Sequence, residues 1–138
     1  AEAIISNGAN AVNLIGQLDA NGAPRYTTAY VNGGPQTTGL NTPYGTAIDE
    51  TNHRLYVADS QNHRVVVYTL NNSNILADYT ADFVLGQPDL VTANSGTTAS
   101  TLNDPYDVVL SGNNSLLYVA DNGNKRVVVF DVASITNG

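Results

Sequence analysis

Hydrophobic stretches separated by short polar turns recur along most of the chain, and they predict strands with almost no helix. The stretches are rich in β-branched or aromatic residues, whereas the turns between them contain Asn, Asp, Gly and Ser. The predicted strands are residues 45–49, 54–58, 64–69, 107–110, 116–120 and 126–131. The pattern therefore predicts two sets of three consecutive antiparallel strands.

Two further hydrophobic stretches, at residues 12–15 and 83–85, each precede a Gly-Gln pair. We expect each of them to add a fourth strand to one of the sets. The uninterrupted run Val65-Val66-Val67 also predicts a strand that is buried on both faces, as it would be between neighbouring sheets.

The two sets of strands are copies of one sequence. Fifteen of the thirty-one residues at 40–70 recur unchanged sixty-two positions later, at 102–132. Residues 11–19 resemble residues 81–89 at a spacing of seventy, so the first copy carries an insertion. Units of this kind stack on one another to bury a core. The predicted organisation is an N-terminal extension at residues 1–10, a first repeat at 11–80 with a long connection at 19–39, and a second repeat at 81–138 with a connection at 89–101.

The repeat carries a recognisable motif. Pro-x-Gly-x-x-x-Asp begins at Pro43, and Leu-Tyr-Val-Ala-Asp-x-x-Asn-His-Arg-Val-x-Val-Tyr follows from Leu55. This sequence resembles the NHL repeat, whose signature tripeptide matches Asn62-His63-Arg64. The resemblance implies an all-β fold of NHL-type β-propeller blades, each with four antiparallel strands, and two blades per chain. The second copy departs from the first where Asp107 replaces Gly45, Ser111 replaces Asp49 and Lys125 replaces His63.

Each copy places an Asp-x-x-Asn-x-Arg motif at the turn after its second predicted strand. We interpret the motif as structural, because Asp accepts backbone N–H groups in turns, and Arg can reach a carboxylate or carbonyl groups of the adjacent blade. Contact with a ligand is the alternative. The residues of this turn motif are Asp59, Asn62, Arg64, Asp121, Asn124 and Arg126.

Four tyrosines are candidates for recognition of a protein or a glycan, because a tyrosine offers a broad ring with a polar tip. Tyr44 and Tyr106 follow the proline of each repeat, and Tyr26 and Tyr30 occur only in the longer connection. For Tyr44 and Tyr106 we favour packing between blades, since residues that recur in a repeat usually belong to its core. Tyr26 and Tyr30 are the better candidates for recognition.

The sequence predicts no catalytic residue, no metal site and no cofactor. The histidines, His53 and His63, are too few for a zinc site unless carboxylates or other chains complete it. Calcium fits better, because residues 19–22 and 121–124 place oxygen ligands around a glycine. Neither segment has the spacing of an EF-hand, so we interpret both as turns.

The composition narrows the classes of partner. The chain has 138 residues, with five Lys and Arg against twelve Asp and Glu and a net charge of −7. Such an acidic chain without a basic patch disfavours binding to nucleic acid, and no apolar stretch approaches the roughly 20 residues of a membrane span. The absence of Cys and Met and the low Lys content favour a secreted or cell-surface protein. The Gly-Gln-Pro-Asp motif at residues 86–89 is similar to NHL repeats of bacterial surface proteins.

Two blades cannot close a ring, and the NHL resemblance implies about six. The bare blade faces must be covered, either by other copies of the chain or by further blades of a longer chain. A closed oligomer, an open filament and a fragment of a longer protein all remain open. The sequence favours a non-catalytic extracellular structural or interaction protein. The alternative implied by the resemblance is a metal-dependent enzyme of lyase or lactonase type, assembled from several chains around a six-bladed propeller.

Overall fold

Two antiparallel β-sheets pack face to face in this computed structural model, which describes residues 7–32 and 38–135. The first six residues of the predicted extension and positions 33–37 of the first connection lie outside the described residues. The only helical segments in the described part are two three-residue 3-10 turns, Ser60–Asn62 and Asn122–Asn124. The prediction of an all-β fold is confirmed.

The first sheet has four strands in the order β1-β2-β3-β4, and the second has three in the order β5-β6-β7. All six strands predicted in the two copies are present, and the first strand of each sheet begins two residues earlier than predicted, at its proline. The bounds are β1 (Pro43–Asp49), β2 (Arg54–Asp59), β3 (Arg64–Thr69), β4 (Phe83–Leu85), β5 (Pro105–Leu110), β6 (Leu116–Asp121) and β7 (Arg126–Asp131).

The fourth strand of the first sheet comes from the beginning of the second sequence repeat. Strand β4 pairs with β3, with Val65 opposite Leu85 and Val67 opposite Phe83. Residues 83–85 belong to the second repeat in the sequence, which begins at Ala81, but they form the last strand of the first sheet. A sheet and a sequence repeat are therefore offset by one strand. In the described residues the second sheet has no fourth strand.

The prediction of a strand at residues 12–15 is wrong. This segment pairs with no strand, Val12 is 99% exposed, and the nearest pairing is an isolated bridge between Gly16 and Gly39. The physical reason is the offset described above. Strand β4 pairs with the third strand of the preceding sheet, and the described residues contain no such strand for residues 12–15.

The core between the two sheets, which we call the blade junction, joins one face of each. Tyr56, Ala58, Val65 and Val67 of the first sheet pack with the second sheet and with the segments that flank it. The buried residues contributed from beyond the first sheet are Leu102, Val108, Leu117, Val119, Val132 and Ile135. A second cluster covers the opposite face of β2 and β3, where Val57, Val66 and Tyr68 pack with Leu40 and Ala81.

Strands β3 and β7 share the sequence Arg-Val-Val-Val but differ in burial. All three valines of β3 are at most 1% exposed, which confirms the predicted burial on both faces. In β7, Val127 is 63% exposed and Val129 is 47% exposed. Burial here follows from which sheet covers the strand, because the residues themselves are the same.

Candidate functional site

The turn motif of the first sheet is a fully buried ion pair that fastens a connection to the strands. The Asp59 carboxylate accepts hydrogen bonds from Asn62 Nδ2 at 2.8 Å and Arg64 Nε at 2.7 Å. Its other oxygen accepts the backbone N–H of Asn41 at 2.6 Å, and Arg64 donates to the carbonyl of Gly39 at 3.1 Å. The side chains of Arg64 and Asp59 are 3% and 0% exposed.

The second sheet repeats this arrangement in a more open setting. Asp121 accepts hydrogen bonds from Asn124 Nδ2 at 2.8 Å, from Arg126 Nε at 2.7 Å and from the backbone N–H of Asn103 at 2.7 Å. Arg126 also donates to three carbonyl groups of the connection, and its side chain is 32% exposed. In both copies the aspartate therefore binds the backbone of the segment that precedes its own sheet, and not the backbone of its own turn as the sequence predicts.

The left-handed residue of each turn is the one after the asparagine. His63 has φ of 54° and Lys125 has φ of 56°. Asn62 and Asn124 themselves lie in the preceding 3-10 turns. The asparagine side chains bind the aspartates, and the unusual backbone angle follows at the next residue.

Each Gly-Gln pair holds a connection, a role that the sequence interpretation missed. Gly86 has φ of +86°, and a Cβ there would lie 2.5 Å from Leu102 Cδ1. Gln87, which is 4% exposed, donates to the carbonyl of Asn94 at 2.7 Å and accepts the Asn94 backbone N–H at 3.3 Å. Gln17 holds the first connection similarly, since it accepts the backbone N–H of Tyr30 at 3.0 Å. The recurrence of the Gly-Gln pair in both copies is the feature of the sequence from which this role could be predicted.

Polar side chains of the first sheet bind the second sheet across the blade junction. Asn114 Nδ2 donates to the buried Asp49 carboxylate at 2.9 Å. Arg54 donates to the carbonyl of Val132 at 2.7 Å. At the corner before β5, Asp104 Oδ1 accepts from Gln61 Nε2 at 3.0 Å. The Asp104 backbone N–H donates to His63 Nδ1 at 3.1 Å, and the same nitrogen lies 3.2 Å from Asp104 Oδ1.

Strands β1 and β5 come into close contact at Gly45. A Cβ atom on Gly45 would lie 2.6 Å from the Cα atom of Asp107, closer than real Cβ contacts allow. The glycine therefore sets the spacing of the sheets at this corner. Beside it, the rings of Tyr44 and Tyr106 are 4.6 Å apart with an interplanar angle of 39°.

The candidate recognition tyrosines fall into two separate places. Tyr44 and Tyr106 contact each other across the blade junction, yet they are 53% and 44% exposed. Tyr26 and Tyr30 lie in the first connection and are 55% and 65% exposed. The structure does not bring the two pairs together into one described cavity, and the recognition role stays a prediction for all four.

An exposed apolar surface lies on the side of the second sheet that faces away from the first, which we call the outer face. It is formed by Val109, Tyr118, Val127 and Val129, which are 60%, 38%, 63% and 47% exposed. Strand register aligns Val109, Tyr118 and Val129 across β5, β6 and β7. Sixty-two positions earlier, the equivalent residues Ala47, Tyr56, Val65 and Val67 belong to the blade junction.

A family model described as "NHL repeat" matches the chain twice, at residues 40–68 and 102–130. The two matches cover the same three strands of each sheet, from the proline corner to the end of the valine run. This chain belongs to the NHL-repeat family. Its sheets are NHL propeller blades, and the turn motif and the Gly45 corner are parts of the repeat.

Curated relatives carry the same repeat. The chain is 37% identical over 93 residues to "NHL repeat-containing protein 2" of Homo sapiens, which is 67% of this chain and 12% of that protein. It is 34% identical over 100 residues to the protein of the same name from Bos taurus, which is 70% of this chain and 13% of that protein. The chain thus spans about an eighth of the length of these relatives.

Metal ligands are dispersed in the described NHL blades. Residues 7–32 and 38–135 contain no group of three or more His, Cys, Asp or Glu side chains that could hold a metal ion. His53 Nδ1 lies 2.6 Å from Asn74 Oδ1, and Asp19 accepts the backbone N–H groups of Asn21 and Ala23. The two backbone hydrogen bonds from Ala23 and Asn21 lower the pKa of Asp19, as expected for a turn.

No helix within residues 7–32 and 38–135 has the length and apolar character needed to cross a membrane.

The buried carboxylate of Asp49 makes the stability of the blade junction depend on pH. Burial alone would raise the pKa of its carboxyl, but hydrogen bonds from Asn52, Thr51 and Asn114 outweigh burial and hold the pKa below the usual 3.8. Because the folded pKa is the lower one, this stabilisation is complete above pH 3.8 and is lost as the pH falls through the folded pKa.

We therefore expect Asp49→Asn to lower the free energy of unfolding by about 1–2 kcal/mol at neutral pH. The difference from wild type should shrink as the pH falls below 3.8. Urea unfolding at a series of pH values measures it. Asn114→Ala removes one of the hydrogen bonds and should reduce the pH-dependent part. A difference that is the same at acid and neutral pH would contradict the assignment.

Proposed function

We propose that this chain is a non-catalytic interaction protein whose outer face binds a further NHL blade. One observation carries the proposal. The residues of the outer face are the repeat equivalents of residues that the first sheet buries against the second. Because burial of apolar surface is the main driving force of association, this group of exposed apolar residues favours a binding role for the outer face.

The blade junction supports the kind of partner. Val65 and Val67 are 0% exposed because the second blade covers them, whereas their copies Val127 and Val129 face solvent. A surface that has the same residues on the same strands fits a covering element of the same kind. The blade is supplied either by another copy of the chain or by a longer protein of which this chain is a part.

The edge of the second sheet supports the same partner. Strand β3 pairs with β4, but the equivalent edge of β7 has no neighbouring strand within residues 7–32 and 38–135. Along that edge, no strand pairs with the backbone N–H and C=O groups of β7. In the first sheet this place is taken by the beginning of the following repeat. A further repeat would therefore complete the second sheet and cover its outer face together.

Beyond contacts between blades, we propose a ligand-binding position and a location for this protein. Tyr26 and Tyr30, exposed in a connection that Gln17 holds in place, are the positions we propose for contact with a protein or glycan ligand. We also propose an extracellular location, which the composition alone supports.

The outer face is tested by the variant Val127→Glu with Val129→Glu, measured by sedimentation velocity across a wide range of protein concentration. In the absence of another blade, wild-type chains should associate weakly through the bare face. The two glutamates should weaken that association by about tenfold or more, because charges replace the centre of an apolar contact.

A matched control places one glutamate at Val12 and one at Val91, which are 99% and 56% exposed and lie outside the outer face. This control should behave as wild type does. Equal weakening by both variants would assign the effect to net charge. Wild-type chains that stay monomeric at every concentration would contradict the proposal.

A further inference from the structure

The second sheet keeps the apolar residues of the blade junction but none of the polar side chains by which the first sheet binds it. Four side chains of the first sheet make those contacts: Asp49, Arg54, Gln61 and His63. Sixty-two positions later, the equivalent residues are Ser111, Leu116, Gly123 and Lys125. The outer face therefore offers apolar contact without the hydrogen bonds that position the second blade on the first.

The spacing at the inner corner has changed as well. Gly45 permits the close approach of Asp107, because any Cβ at position 45 would lie 2.6 Å from the Asp107 Cα atom. On the outer face the residue equivalent to Gly45 is Asp107, which has a Cβ. A further blade seated in the same way would place its own backbone against that Cβ. It must therefore stand further from β5 than β5 stands from β1.

Lys125 suits this wider corner. It replaces His63, whose ring lies 3.2 Å from the Asp104 carboxylate of the next blade. The lysine is exposed, makes no ion pair with the described residues, and lines a shallow depression of about 450 Å³ with Tyr106, Asn122 and Val127. A lysine side chain reaches further than a histidine side chain and is positively charged at neutral pH, so it matches a more distant carboxylate.

We propose that the outer face receives an NHL blade from outside this chain and not from a second copy of it, and that Lys125 selects that blade by a carboxylate at the corner before its first strand. The proposal rests on the proposed function, since it names the partner of the same surface. The partner residue is the one equivalent to Asp104, which precedes the proline of the repeat.

The chain's own blades do not present that corner. The face of the second sheet that carries the Asp104 corner is already buried in the blade junction. A second copy therefore has only its first sheet to offer, and there the equivalent residue is Thr42, which is uncharged. Lys125 would have no anionic partner in a stack of identical chains, and the Cβ atom of Asp107 would keep the two blades further apart, so such a stack should form only weakly.

The test gives the first sheet the missing carboxylate, so that the chain itself is the probe. Thr42 has φ of 55° and Asp104 has φ of 49°, so aspartate suits the backbone of position 42 at least as well as threonine. Thr42→Asp should strengthen self-association by about threefold to tenfold, and more at low salt. Adding Asp107→Gly should strengthen it further, because the corner can then close.

Charge reversal identifies the lysine. Thr42→Asp with Lys125→Glu should lose the gain, and Thr42→Lys with Lys125→Glu should recover it, as measured by sedimentation velocity on folded samples. A gain that survives Lys125→Glu would overturn the inference, as would no gain with Thr42→Asp. Wild-type chains that stack as tightly as the Thr42→Asp variant would also overturn it.

One further variant separates this inference from the proposed function. Val127→Glu with Val129→Glu is introduced into the Thr42→Asp chain. If association falls while the Lys125 reversal has no effect, the outer face is the binding surface and only the selection by Lys125 is wrong. If association is unchanged by the two glutamates, the outer face is not the binding surface and the proposed function fails with it.

Discussion

Replacing Arg64 with alanine is expected to lower the free energy of unfolding by about 3–5 kcal/mol, because it leaves a buried carboxylate without its cation. Asp59 is 0% exposed and would keep only Asn62 and the backbone N–H of Asn41 as partners. The change also releases the carbonyls of Gly39 and Leu90, which the guanidinium binds. Domains of this size are stable by about 5–15 kcal/mol, so the loss is a large share.

The repeat supplies the matched control. Arg126 makes the equivalent contacts with Asp121, but its side chain is 32% exposed against 3% for Arg64. Asp121 is 0% exposed, as Asp59 is, but removal of a guanidinium that lies partly at the surface should open the carboxylate to water, so we expect a loss of only about 1–2 kcal/mol. Urea unfolding of both variants measures the difference. Equal losses would show that burial does not set the strength of the motif.

Arg64→Lys distinguishes charge from geometry. Lysine keeps the positive charge but lacks the fork of donors that reaches Asp59 and two carbonyls in three directions. We expect this variant to fall between wild type and Arg64→Ala. If lysine restored full stability, the motif would be a simple ion pair and the bound carbonyls would contribute little.

Local pattern predicted the strands well, because each strand is specified by its own residues. The β-branched runs are present in both copies, and all six strands predicted within residues 40–70 and 102–132 formed. The boundary errors at Pro43 and Pro105 arose because proline was taken as part of the turn. The bulge between Pro43 and Thr46 shows that pairing begins at the proline and is then interrupted.

Long-range pairing was less predictable, because it depends on which segments meet. Residues 12–15 have the pattern of a strand and form none, since no described strand lies beside them. Residues 83–85 have a similar pattern and pair with β3. The contacts of the blade junction were equally out of reach, since Arg54 binds a carbonyl seventy-eight positions away.

The positions at which the two copies differ indicate where one blade contacts the next. Identical residues predicted the turn motif and the core, which every blade needs. Asp107 replaces Gly45 and Lys125 replaces His63, and both Gly45 and His63 lie at contacts between the blades. A residue that differs between the copies without changing the fold of the blade therefore reflects what that blade contacts.

Aspartate at Val65 is expected to prevent folding or to lower the free energy of unfolding by more than about 4 kcal/mol, since it buries an unpaired charge. Val65 is 0% exposed in the blade junction. The same substitution at Val127, which is 63% exposed on the same position of the copied strand, should change the free energy of unfolding by less than about 0.5 kcal/mol.

A milder pair keeps the comparison measurable if Val65→Asp does not fold. Val65→Thr and Val127→Thr each replace a methyl with a hydroxyl of nearly the same size, so only the former buries an unpaired donor, at a cost of about 1–3 kcal/mol. Both pairs are measured by urea unfolding at low protein concentration, where association does not contribute. Val127→Thr should match wild type there, because its hydroxyl faces water. A large loss at Val127 in a monomeric sample would mean that the outer face is covered within the chain, and the exposed blade face would no longer be a binding surface.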